Sequence, residues 1–93
     1  MYATIRTYTG ASELTDALLE HESEVRELLT GIAGFRAYYL VRTETGATTI
    51  SVFDDRAGAE ESTRAAAAWV GEHLGDAGIA PPQVATGEVA VSF

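Results

Sequence analysis

The chain has 93 residues, no cysteine and a formal net charge of −8. That length makes a single domain, residues 1–93, which buries only about 60–65% of the surface of its unfolded chain and so gains from self-association. The composition excludes disulfides, thiolate metal sites and thiol nucleophiles.

The charge argues against a nucleic-acid surface, because the six basic residues are all arginine and stand singly between Arg6 and Arg64. Anionic membranes repel such a chain, and no apolar run approaches the roughly 20 residues of a membrane span. The start, MYATIRTYTG, has no basic segment followed by an apolar one, so a cytoplasmic protein is expected.

YATIRTY, Tyr2 to Tyr8, is rich in aromatic and β-branched residues and predicts a strand ending at Gly10. Ser12 offers an N-cap, with Glu13 and Asp16 at the positive end of a helix dipole. Leu14, Leu18, Val25, Leu28, Leu29 and Ile32 then recur at helical spacing, with Glu20, Ser23, Glu24 and Glu27 opposite. One amphipathic helix is predicted, stopped by Gly31 and Gly34. FRAYYLVRT, Phe35 to Thr43, and ATTISVF, Ala47 to Phe53, flank Glu44-Thr45-Gly46 and read as a hairpin. Asp55 caps a second helix from about Ala57 to Leu74, which Gly75 ends. Pro81 and Pro82 keep the next segment out of helix. A last strand runs from about Gln83 to Phe93, with Gly87 as a bulge.

The order β-α-β-β-α-β predicts an α+β, ferredoxin-like domain: a four-stranded antiparallel sheet with two helices on one face. The sheet face away from the helices should then be polar. Simple alternation instead puts Tyr38, Leu40, Ile50 and Val52 there, an apolar surface. A homodimer packed sheet to sheet would cover it.

GIAGFRAYYLVR, the hairpin into SVFDDRAGAEES, and the AAAAWV helix resemble the dimeric α+β barrel superfamily, in particular its small antibiotic-biosynthesis-monooxygenase-like proteins. The resemblance covers nearly the whole chain and its motifs are structural. It implies a homodimer whose sheets close into a barrel, with one pocket per subunit between helices and sheet. Some such proteins oxidise polycyclic aromatic substrates with molecular oxygen and no cofactor, and others bind or degrade haem. Ser62 stands where many of the monooxygenase-like proteins carry a histidine. Trp69 matches a tryptophan of the haem-degrading ones, with Arg6 or Thr7 in the place of their asparagine. His73 falls earlier than their histidine, and this chain has no asparagine.

On the second helix, Ala59, Ser62, Ala66, Trp69, Val70 and His73 share one face. Trp69 is either a core anchor or a stacking wall for a flat ligand. His73, in the last turn, is either a dipole partner or a general base. Glu22 either pairs with Arg26 at i+4 or reaches into the pocket as a base. The expected ligand wall is Ser62, Ala66 and Trp69 with Tyr39, Phe53 and His21. No histidine or carboxylate stands at i±4 from His73, so no metal site borne on that helix is expected. No nucleophile elbow or phosphate loop appears.

The function these features imply is a homodimer binding a small aromatic or polyketide-like molecule, with cofactor-independent, monooxygenase-like chemistry based on His73 or Glu22. The alternatives are a non-catalytic binding or structural dimer and, more weakly, haem binding through either histidine.

Overall fold

A computed structural model of the chain describes residues 1–10, 12–75 and 78–93; the N-cap expected of the Ser12 side chain lies outside this description. The elements are β1 (Tyr2–Thr9), α1 (Ser12–Glu20), α2 (Glu22–Thr30), β2 (Phe35–Thr43), β3 (Gly46–Phe53), α3 (Arg56–Leu74) and β4 (Gln83–Glu88). The strands form one antiparallel sheet in the order β2-β3-β1-β4. β3 lies between the two strands that α1 and α2 connect, which is the split, ferredoxin-like plan.

The first helical region is two helices rather than one. They meet at His21, whose backbone sits at φ −107° and ψ 27°. The bonds from His21 N–H to the Ala17 carbonyl and from Val25 N–H to the His21 carbonyl survive, each at 3.0 Å. The axis therefore bends without losing register, and Leu14, Leu18, Val25 and Leu29 stay in one core with Tyr8 and Trp69. β4 also ends at Glu88 and not at Phe93, after a last tie from Val89 N–H to the Met1 carbonyl at 2.9 Å. Gly87 pairs in regular register with Ala3, so it forms no bulge.

The bulge lies instead at Arg36, between Phe35 and Ala37, where β2 leaves its register with β3. One extra residue turns the rest of the strand over. Tyr38 and Leu40 therefore oppose Ser51 and Thr49 and pack against the core, whereas Tyr39 and Val41 oppose Ile50 and Thr48. The face away from the helices is apolar as expected, but it is built from Ile5, Ala37, Tyr39, Val41, Ile50 and Val52. Of these, Tyr39 is 57% exposed.

α3 begins at Asp55, whose carboxylate accepts the Gly58 N–H at 3.1 Å. A side chain at Gly58 would lie 2.9 Å from the Phe53 ring and 3.0 Å from the Ala33 carbonyl. This close approach seats the first turn of α3 on β3 and sets the helix running over β1.

Candidate ligand-binding site

β1 alternates, and Thr4, Arg6 and Tyr8 point toward the helices. Arg6 is thus built into the core floor and is only 2% exposed. Its guanidinium meets hydroxyl groups alone. Nη2 donates to Ser51 Oγ at 3.0 Å, and Nη1 approaches Ser62 Oγ at 3.5 Å and Thr63 Oγ1 at 3.4 Å. Nε has no partner. Among the described residues no carboxylate pairs with Arg6, although the chain holds 14 acidic residues. Burying a cation without a counter-charge costs several kcal/mol. Burial lowers the Arg6 pKa, opposed by Tyr8 and Tyr38 nearby, and an arginine remains protonated regardless. Burial also raises the Tyr8 phenol and pushes Tyr38 up to about 12, so both stay neutral beside it.

Two spaces meet at Arg6. One is a small void of about 30 Å³, bounded by Tyr8, Leu14, Tyr38, Thr49, Ala66 and Trp69 among others. It has room for a water molecule and no aromatic ring. The other is a groove of about 460 Å³ between α3 and the segment leading into β4. Its walls are Thr63, Ala67, Val70, Gly71 and Leu74 on one side and Ile79, Pro81, Pro82 and Val84 on the other, with Arg6 and Tyr8 at the floor. That volume suits a small ligand. The void wall carries further unpartnered buried donors: Trp69 Nε1 and the Thr49 hydroxyl, besides Arg6 Nε. Three donor groups without an acceptor, one of them cationic, form an environment suited to an anionic oxygen.

The residues expected at the site are divided by the structure. Ser62, Ala66 and Trp69 face the sheet on α3. Ser62 is fully buried, donates to the Ala59 carbonyl at 2.7 Å and holds Arg6; Ala66 and Trp69 line the void. Phe53 is fully buried, edge to face with Phe35 at 5.7 Å, and borders neither space. Tyr39 points to the opposite face of the sheet, because the bulge at Arg36 reverses it. Glu22 is exposed, paired with Arg26 at 2.7 Å, and looks onto an outer groove beside β2. His73 stacks on the Trp69 ring at 4.3 Å, and His21 meets the same ring edge-on at 5.7 Å. Neither histidine borders the void or the groove. Glu22, His21 and His73 thus lie outside the lining of both spaces.

Sequence reasoning placed Arg6 only as a substitute for an asparagine. Its signal was present: an arginine at an inward position of a strand whose neighbours, Thr4 and Tyr8, belong to the core.

No protein-family profile matches the chain, and no curated protein matches it in sequence. Solved structures do match over nearly its whole length. A variant of MhuD with two manganese protoporphyrin IX molecules bound per active site superposes with a TM-score of 0.74 at 12% identity, covering 100% of this chain and 98% of that one. A monooxygenase from ActVA-Orf6 of Streptomyces coelicolor, in complex with nanaomycin D, gives 0.67 at 13% identity, covering 99% and 88%. A variant of SnoaB, a cofactor-independent oxygenase from Streptomyces nogalater, gives 0.61 at 13%, covering 99% and 93%. By its β-α-β-β-α-β order, its sheet topology and these superpositions, the chain has the fold of the antibiotic-biosynthesis-monooxygenase-like proteins.

Proposed function

We propose that the chain binds a small, flat aromatic molecule bearing an anionic oxygen, in the groove between α3 and the segment 78–84, with that oxygen directed to Arg6. The observation that carries this reading is the buried guanidinium, without a counter-charge among the described residues, at the floor of an apolar groove. A ligand phenolate, enolate or carboxylate supplies the missing charge and gains a charge-assisted, dry hydrogen bond.

The chemistry that fits is cofactor-independent and monooxygenase-like. A cation beside an acidic phenol or enol favours its deprotonated form. The resulting carbanion reduces molecular oxygen, so that a CH₂ group and O₂ become C=O and water. On this reading Arg6 stabilises the anion in place of a strong base, the proton passes to water at the open mouth of the groove, and Val70 and Leu74 form the apolar wall beside the ligand. The similarity in fold to a cofactor-independent oxygenase and to a nanaomycin-bound monooxygenase supports this choice. The active unit is a homodimer packed through the apolar sheet face, which a 93-residue domain has reason to cover.

Trp69 is the only tryptophan and lines the space that shares Arg6, Tyr8 and Val70 with the groove, so its fluorescence reports a ligand bound next to it. Titration with an anthrone in air, followed by oxygen uptake, tests the reading. Saturable quenching with uptake of one O₂ per molecule is expected. Quenching without uptake moves the protein to the non-catalytic binding class, and absence of both overturns the proposal.

A further inference from the structure

The bend at His21 has a second consequence, away from the groove. It brings His21 and Glu24, at the start of α2, against His73 near the end of α3. One ligand atom from each of the three lies within 4.8 Å of the others. The Glu24 carboxylate spans the pair, with Oε2 at 2.8 Å from His21 Nδ1 and Oε1 at 3.3 Å from His73 Nε2.

The arrangement of His73 sets what lies between them. Its Nδ1 is 3.0 Å from the Trp69 carbonyl, which only accepts, so Nδ1 carries the hydrogen. In the neutral ring Nε2 is then a lone pair aimed at a carboxylate oxygen, two acceptors in contact. A cation bound by both atoms, to one side of the line between them, resolves the conflict. A backbone carbonyl holding the far nitrogen of an imidazole is also the usual means of orienting a metal-ligating histidine. Trp69 stacks on His73 and meets His21 edge-on, fixing both rings. Ligands on a tetrahedral zinc ion, at about 2.0–2.2 Å from the metal, stand roughly 3.3–3.5 Å apart. The contact of Glu24 with His73, at 3.3 Å, has that spacing already, and the 2.8 Å contact with His21 must open by about 0.5 Å to reach it; Glu20, Glu22 and Glu27 add negative charge to the same helical region.

We propose that His21, Glu24 and His73 bind a divalent cation of the zinc class, with water completing its coordination, and that the ion clamps α2 to α3 behind Trp69. Two imidazoles and one carboxylate select zinc, cobalt or nickel over the hard magnesium ion. The clamp does not depend on the reading of the groove, since neither histidine borders it.

The test is titration of the untagged full chain with zinc chloride by calorimetry, with cobalt(II) absorption as the coordination readout. One ion per chain is expected, with a zinc-dependent rise in Tm and the visible bands of tetrahedral cobalt. His73→Gln and Glu24→Gln should each weaken binding by about tenfold or more, while the surface variant Glu61→Gln, on α3 and paired with Arg64, leaves it unchanged. Near-ultraviolet dichroism of Trp69 verifies that the variants are folded, and His21→Gln serves if one is not. Magnesium chloride should give no heat. No saturable binding of zinc, or binding indifferent to His73→Gln and Glu24→Gln in folded chains, overturns the site. A His73 that proves doubly protonated at neutral pH by ¹⁵N shifts, in zinc-free protein, with no displacement of that proton on adding zinc, overturns it equally.

Discussion

Arg6 concentrates the tension in this molecule. Its methylenes and guanidinium fill the space between β1 and α3, yet its charge is matched only by neutral hydroxyls. Replacing a buried ionic group with an apolar side chain of similar size is often neutral or stabilising, by up to about 1–4 kcal/mol. Arg6→Met is therefore expected to unfold in urea at the same or a higher midpoint, and a loss above about 3 kcal/mol would show that the guanidinium is structural. Tyr38 supplies a pH dependence. Its pKa is about 12 in the folded chain, raised by burial, against 10 when exposed. Between those values the unfolded chain has released the proton and the folded chain retains it. Stability is thus fully present below pH 10 and falls as pH rises toward 12, by at most about 1.4 kcal/mol per unit. Tyr38→Phe should flatten that decline in thermal melts, and an unchanged decline would place its cause elsewhere.

Along the elements, α3 carries two glycines with opposite roles. A methyl at Gly58 meets the Phe53 ring and the Ala33 carbonyl, so Gly58→Ala should cost about 1–3 kcal/mol through overpacking. Around Gly71 a methyl meets nothing within 4 Å, so Gly71→Ala should stabilise the helix by about 0.5–1 kcal/mol. Urea denaturation of the two variants decides whether α3 is pinned at its first turns and free near its end. The order and kind of the elements were legible in the sequence, because apolar spacing and the Asp55 cap are local signals. The bend at His21 was not, since hydrogen bonds continue through it and the leucine stripe keeps its period. The bulge at Arg36 was hidden as well, and it alone moved Tyr39 from the expected ligand wall to the outer face. The shared inward face of Trp69, Ala66 and Ser62 was legible because it lies on one helix. The cluster of His21, Glu24 and His73 needs two helices at a specific angle, which no spacing along one helix encodes.

At the scale of the whole molecule, the apolar sheet face and the acidic charge act together. Ile5, Tyr39 and Val41 are each more than a third exposed, on a chain of net charge −8. Burying that face in a second copy removes a patch that water disfavours, while the surrounding charge limits further association. Sedimentation should give a species of twice the 9.9 kDa chain at micromolar concentration. Ile5→Glu, which adds a charge to central strand β1 of the face, should reduce it to the monomer without unfolding it. A wild-type monomer would remove the barrel arrangement but leave the groove, which lies on the other side of the sheet. Among the described residues no helix is long and apolar enough to cross a membrane.

Selection of an anionic oxygen by Arg6 is read from ligands that differ in charge and little in shape. Naphthoate and its methyl ester are titrated calorimetrically into the wild-type chain and Arg6→Met. The wild type should prefer naphthoate at least about tenfold, equivalent to about 1.4 kcal/mol, and Arg6→Met should lose this preference while still binding the ester. Equal affinity for the two ligands in the wild type, or a preference that survives in Arg6→Met, would contradict this selection.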